Sequence, residues 1–296
     1  DPRGGRNRMR AIAACAPSLA FGVTGRPTGR PTSVPRATAP RGVDDRVSAD
    51  ERTRDEIASM ASTPPPLPRV SEPGGIHAFL FDMDGTLCDT DPIHHEVFAD
   101  LLMAHGKNGG VRIDDAFFHE HIAGKTNEAI FPALFPELDK ETHEKMWEEK
   151  ESRFRALAEQ KLSRLPGLTE LLVWAKTNKV RVAAVTNAPR PNAELMLRAL
   201  GLSDPPAFEH VVIGTECARA KPFPDPYLEG MRLLGAKDPS RCVAFEDSPT
   251  GMAAAVAAGL PAVGVTTSQS PDSLFNAGAS LCVADFADDG LLQAIA

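Results

Sequence analysis

The chain has 296 residues, 42% of them apolar in type, which is enough for one large buried core or two smaller ones. Its formal charge of −8 is unevenly spread: residues 1–43 hold eight Arg, no Lys and one acid, Asp1, a net of +7 that leaves −15 on the remainder. A body so acidic repels nucleic acid and anionic membrane at long range, and the longest apolar stretch, residues 11–23, is broken by Pro17 and Ser18, so neither is expected as a partner.

Residues 1–74 are rich in Arg, Pro, Ser, Thr and Gly, show little periodicity and include Pro64, Pro65 and Pro66, so they are expected to be a disordered leader and linker. Residues 9–41 combine Arg with hydroxyl side chains and lack acids, the make-up of an organelle transit peptide. A plastid is the expected destination, with mitochondrion and cytoplasm as alternatives. Five cysteines (Cys15, Cys88, Cys217, Cys242, Cys282) form no CxxC pair and read as reduced, packed thiols.

From residue 76 the pattern changes to short apolar runs, at 76–81, 180–185, 211–213, 242–245 and 261–265, which is how strands buried on both faces appear. Helical segments lie between them, among them 192–200 ended by Gly201 and 248–258 ended by Gly259. The alternation predicts an α/β fold with a doubly wound, parallel, Rossmann-like sheet. Residues 92–164 break that rhythm with helical pattern alone, so an all-helical cap is expected there, inserted into a core made of 75–91 and 165–296. Pro92 on one side and Leu165, Pro166 and Gly167 on the other are hinge candidates that would let the cap move as a lid.

Four groups of residues bear chemistry. The first strand runs into Asp82 and Asp84, two carboxylates whose repulsion calls for a cation, although such a pair before Gly85 also suits a plain turn. The strand at 242–245 ends in Glu246 and Asp247, which suit completion of a metal site, although Asp247 or Ser248 also suits the plain capping of the next helix. Thr186 and Asn187 follow the strand at 180–185, with hydroxyl, amide and backbone N–H groups suited to phosphate oxygens. Lys221 before Pro222 offers an ammonium to balance the acids. Each group falls at or just after a predicted strand end, where open α/β sheets bind ligands.

On these motifs the chain resembles the haloacid dehalogenase superfamily over residues 75–296. The resemblance implies that Asp82 is a nucleophile attacking phosphorus to form an aspartyl-phosphate, and that Asp84 is the acid and base for leaving group and water. It also implies Mg²⁺ held by Asp82, Asp84, Glu246 and Asp247, with Thr186, Asn187 and Lys221 on the phosphoryl group. Within the superfamily, residues 87–94, 122–125, 184–196 and 245–248 are similar to β-phosphoglucomutase and its phosphatase relatives, including plant small-sugar-phosphate phosphatases. That likeness implies that the cap loop Gly124, Lys125, Thr126 reaches the site, and that His94 links lid closure to catalysis.

Asn127 stands where the mutase has an arginine gripping a distal phosphate, and Thr86 where it has valine. Both favour hydrolysis, although Lys125 or Lys150 is positioned in sequence to restore the lost charge. The expected function is therefore a monomeric Mg²⁺-dependent phosphomonoesterase acting on a small sugar or polyol phosphate. A phosphoglucomutase-like isomerase and a non-catalytic phosphosugar-binding regulator are the alternatives. The P-loop mimicry of Gly124, Lys125 and Thr126 fails, because the glycine required five residues earlier is His119 and no strand precedes it. The eight histidines show no HExxH spacing.

Overall fold

The computed structural model describes residues 64–296. The Arg-rich leader, with the targeting role expected of it, lies outside the described residues. Among those described, no helix is long and apolar enough to cross a membrane.

Six strands form one parallel sheet: β1 (Ala78–Phe81), β2 (Arg181–Thr186), β3 (His210–Ile213), β4 (Cys242–Glu246), β5 (Ala262–Val265) and β6 (Leu281–Val283), in the order β3-β2-β1-β4-β5-β6. Five of them match the apolar runs of the sequence to within two residues at each end. The sixth, Leu-Cys-Val, is too short to carry a periodic signal and becomes visible only because β5 pairs with it.

The helices are α1 (Asp91–Ala104), α2 (Asp115–His121), α3 (Asn127–Leu134), α4 (Lys140–Lys161), α5 (Leu168–Thr177), α6 (Arg190–Ala199), α7 (Asp225–Leu233), α8 (Pro249–Ala257), α9 (Pro271–Asn276) and α10 (Asp289–Ile295). Alternate residues of β1 serve opposite faces. Phe79 and Phe81 pack with α5, α6 and α10, whereas Ala78 and Leu80 pack with α7, α8 and α9. Phe81 stacks on Phe245 of β4 at 4.5 Å between ring centroids, so the two central strands are locked together by aromatic contact directly beneath the site. Chain direction across the sheet reverses between β1 and β4, and this switch point opens a crevice at their carboxyl ends.

Helices α1–α4 are inserted between β1 and α5 and have their own apolar centre, including Phe98, Leu102, Phe118, Phe131 and Phe135. Ile93, Val97, Phe154 and Ala158 turn the other way and join the core of the sheet. Thus α1 and α4 are apolar on two sides and dock the insert over the crevice.

Residues 64–75, placed in the linker by the sequence, carry no helix or strand but contact the folded core. Leu67 is half-buried and Pro68 buried, the Val70 N–H donates to the Ile295 carbonyl at 2.8 Å, and the Ser280 hydroxyl donates to the Pro65 carbonyl at 2.6 Å. Leu67 and Val70 find apolar partners in the folded core that the low apolar content of this stretch does not advertise.

Candidate active site

The crevice gathers its carboxylates from two adjacent strands. Asp82 is the first residue after β1, its N–H donating to the Phe245 carbonyl at 2.9 Å, while Glu246 ends β4 and Asp247 follows it. The chain then turns through Met83, whose carbonyl accepts from the N–H groups of Thr86 and Leu87. Gly85 makes the turn possible: its φ is +70°, and a Cβ there would stand 2.1 Å from Asp247 Oδ2. Gly251, at the start of α8, allows a similar approach, since a Cβ would lie 2.0 Å from Glu246 Oε2. Ser248, one of the two capping candidates of the sequence, caps α8, its hydroxyl accepting from the Gly251 N–H at 3.1 Å.

Lys221 sits among these acids. Its buried ammonium donates to Asp82 Oδ1, Glu246 Oε1 and the Val185 carbonyl, each at 2.6 Å. Burial alone would lower its pKa, but Asp82 and Glu246 outweigh that and hold it above its ordinary value. Asn187 fixes the backbone of this lysine from both sides, its amide donating to the Lys221 carbonyl at 3.1 Å and accepting from the Lys221 N–H at 3.2 Å. The Asn187 side chain thus positions Lys221 with its oxygen and one of its two N–H donors. Thr186 is 1% exposed and its Oγ1 accepts from the Ala188 N–H at 2.9 Å, which leaves its own proton free to donate.

Three buried carboxylates, Asp82, Glu246 and Asp247, place one oxygen each within 4.8 Å of one another. A single ammonium cannot neutralise three anions. Desolvation first, and the neighbouring acids after it, push Asp82 up to about 8 and raise Asp247 well above the ordinary carboxylate range. Glu246 Oε2 is buried without a partner, as is Thr86 Oγ1. An all-oxygen donor set with excess negative charge and an orphaned carboxylate oxygen fits a hard divalent cation such as Mg²⁺.

Asp84 is half-buried at the rim of this cluster, with His94 Nε2 at 3.5 Å from its Oδ1. His94 in turn stacks on Phe154 of α4 at 4.3 Å, so a residue of the insert lies one ring away from Asp84. The cap loop also reaches the core, because a Cβ on Gly124 would stand 3.9 Å from Cβ of Ser248. Lys125 and Thr126 beside it are exposed, and the Lys125 ammonium donates to the Glu120 carbonyl at 2.6 Å. Lys150 is not a free cation. It is 4% exposed and paired with Glu151 at 2.8 Å.

Tyr227 is a member of the cluster that the sequence did not reveal. It is fully buried, donates from Oη to Glu246 Oε1 at 2.5 Å and places its ring 5.0 Å from the Lys221 ammonium. Its one advance signal is position, on the first turn of the helix that follows the Lys221 loop, where a tyrosine ordinarily reads as packing.

Fold and site together define an α/β protein with a cation-ready carboxylate cluster at a sheet switch point, partly roofed by an inserted helical layer. The sequence matches the haloacid dehalogenase-like hydrolases over residues 76–259, and the chain belongs to that family. It is similar to protein CbbY of Rhodobacter capsulatus, 31% identical over 205 residues that span 64% of this chain and 84% of the relative. It is also similar to a phosphorylated carbohydrates phosphatase of Thermotoga maritima, 32% identical over 62% of this chain and 82% of the relative. Among solved structures, a CbbY variant from Rhodobacter sphaeroides in complex with xylulose-(1,5)bisphosphate superimposes with a TM-score of 0.63 at 29% identity, covering 75% of this chain and 100% of the other.

Proposed function

We propose that the protein is a Mg²⁺-dependent phosphomonoesterase acting on a small sugar or polyol phosphate. The observation that carries this reading is the Lys221 ammonium held 2.6 Å from Asp82 inside a cluster with two further buried acids. The family membership and the sugar-phosphate activity named for the Thermotoga relative support it.

Asp82 would attack phosphorus in line, forming an Asp82–phosphate bond as the bond to the leaving oxygen breaks. Asp84, half-exposed at the rim, would give its proton to that oxygen. In the second step Asp84 takes a proton from water, whose oxygen attacks phosphorus, releasing inorganic phosphate and freeing the Asp82 carboxylate. Lys221, oriented by Asn187, opposes the rise that burial imposes on Asp82, favouring its anionic form, and draws phosphoryl oxygens together with Thr186. Asp82, the Asp84 main chain, Asp247 and Glu246 are the residues that would hold Mg²⁺, which when bound supplies charge neutralisation between anionic nucleophile and anionic substrate.

The test is phosphate release by the full chain from a panel of sugar, polyol and nucleotide monophosphates, in Mg²⁺ and then in EDTA, with glucose 1,6-bisphosphate added to reveal isomerisation. Mg²⁺-dependent release supports hydrolysis; isomerisation without release replaces it with the mutase reaction. The Arg-rich leader supports a plastid location, to be checked by fusing residues 1–63 to a fluorescent reporter. A cytosolic reporter would contradict it.

A further inference from the structure

A second group of metal-type donors lies outside the acid cluster, in a cavity of about 340 Å³ beside the point where the insert leaves the core. Asp91 and His95 stand four apart at the start of α1, and Asp115 and His119 stand four apart on α2. Each helix therefore presents one carboxylate and one imidazole on a single face. All four line this cavity, and Phe118 and Thr267 of the loop after β5 complete its wall.

Contacts across the cavity join the two helices. His95 Nε2 lies 3.7 Å from Asp115 Oδ1, too far for a hydrogen bond. Two ligands of one tetrahedral ion, with bonds of about 2.0–2.1 Å, stand roughly 3.4 Å apart, so this pair is close to ligating distance. The His119 imidazole is near enough to act on the Asp91 charge. Asp91 Oδ2 and His95 Nε2 are shut off from solvent and have no hydrogen-bond partner, so two polar atoms of one cavity wall lack the bonds that burial demands. Among the described residues only Asp82, Glu246 and Asp247 offer three donors within 4.8 Å of one another as they stand. Closing the second site therefore takes a turn of Asp115 and His119, both exposed and able to change rotamer.

We infer that Asp91, His95, Asp115 and His119 form a second metal site, selective for a transition ion of the Zn²⁺ class over Mg²⁺. Imidazole nitrogen suits Zn²⁺, Co²⁺ and Ni²⁺, whereas the acid cluster offers oxygen alone, so the two sites divide the ions between them by ligand type. An ion bound there ties α2 to the first residues of α1, next to Pro92, where the insert joins the core. The site stands independently of the phosphatase reading, because none of its donors enters that scheme.

The experiment titrates Co²⁺ into the full chain in saturating Mg²⁺ and records the visible spectrum. A four-coordinate Co²⁺ with two imidazoles absorbs intensely there, whereas Co²⁺ displacing Mg²⁺ in a six-coordinate, all-oxygen cluster absorbs only weakly. The intense band should saturate at a single equivalent, disappear on adding Zn²⁺ and persist in Asp82→Asn. His119→Ala removes an exposed side chain, and His95→Phe keeps a ring against Phe118. Each should weaken Co²⁺ binding at least about tenfold, the loss that even an outer-shell partner of a metal brings. His119→Ala decides alone if His95→Phe does not fold. Absence of the intense band, equal binding by wild type and His119→Ala, loss of the band in Asp82→Asn, or a thiolate charge-transfer band that assigns the ion to cysteine overturns the inference.

Discussion

Tyr227 and Glu246 are joined in the floor of the site by a hydrogen bond of 2.5 Å from a fully buried hydroxyl to a fully buried carboxylate. The same oxygen receives the Lys221 ammonium, so one carboxylate oxygen orients the lysine that touches Asp82. The other oxygen faces the acid cluster without a partner.

Tyr227→Phe removes one of the two side-chain donors to Glu246 while keeping the ring over Lys221. A buried acceptor that loses a donor costs about 1–3 kcal/mol, and the phenylalanine leaves packing intact. The expected outcome is a lower melting temperature in EDTA that is partly recovered by Mg²⁺. Equal melting curves for variant and wild type would show that the hydroxyl has no energetic role.

Gly85→Ala forces a Cβ into the space of the Asp247 carboxylate, at a backbone φ of +70° that costs an L-residue about 1–2 kcal/mol. The variant should fold with reduced stability and lose more than tenfold in apparent Mg²⁺ affinity, read from the metal dependence of its melting temperature. An unaltered metal response would remove Asp247 from the metal set.

The acid cluster predicts an unusual pH response. Asp82, raised to about 8, and Asp247, raised well above its ordinary value, bind protons more tightly folded than unfolded, chiefly because burial penalises their charged forms. Their contribution to stability is complete below the unfolded carboxylate range near pH 4 and is lost as pH rises through about 8. In EDTA the melting temperature should fall between pH 6 and pH 9, and saturating Mg²⁺ should flatten the fall. A melting temperature that rises over that interval in EDTA would contradict the charge imbalance assigned to the cluster.

The sheet and the position of its acids were legible because β1 and β4 are apolar runs buried on both faces that stop at carboxylates, Asp82 and Glu246. Proximity across the chain was less so. Lys221 is 139 positions from Asp82 and 25 from Glu246, and nothing local marks which acids it meets. Asn187 was readable as a polar residue at a strand end, but its two hydrogen bonds to the Lys221 backbone depend on the loop after β3 coming alongside. Glu151 was hidden for another reason. In a helix crowded with Glu and Lys it resembles a solvated face, and only docking of α4 against Asn192 and Asn127 separates it from its exposed neighbours.

The most direct measurement is Mg²⁺-dependent phosphate release by Asp82→Asn beside wild type, on whichever ester of the panel the wild type hydrolyses fastest, with circular dichroism confirming the fold of both. An amide in place of the nucleophilic carboxylate should reduce release by more than a thousandfold while the spectra coincide. Retention of a tenth of the wild-type rate would contradict covalent catalysis at Asp82.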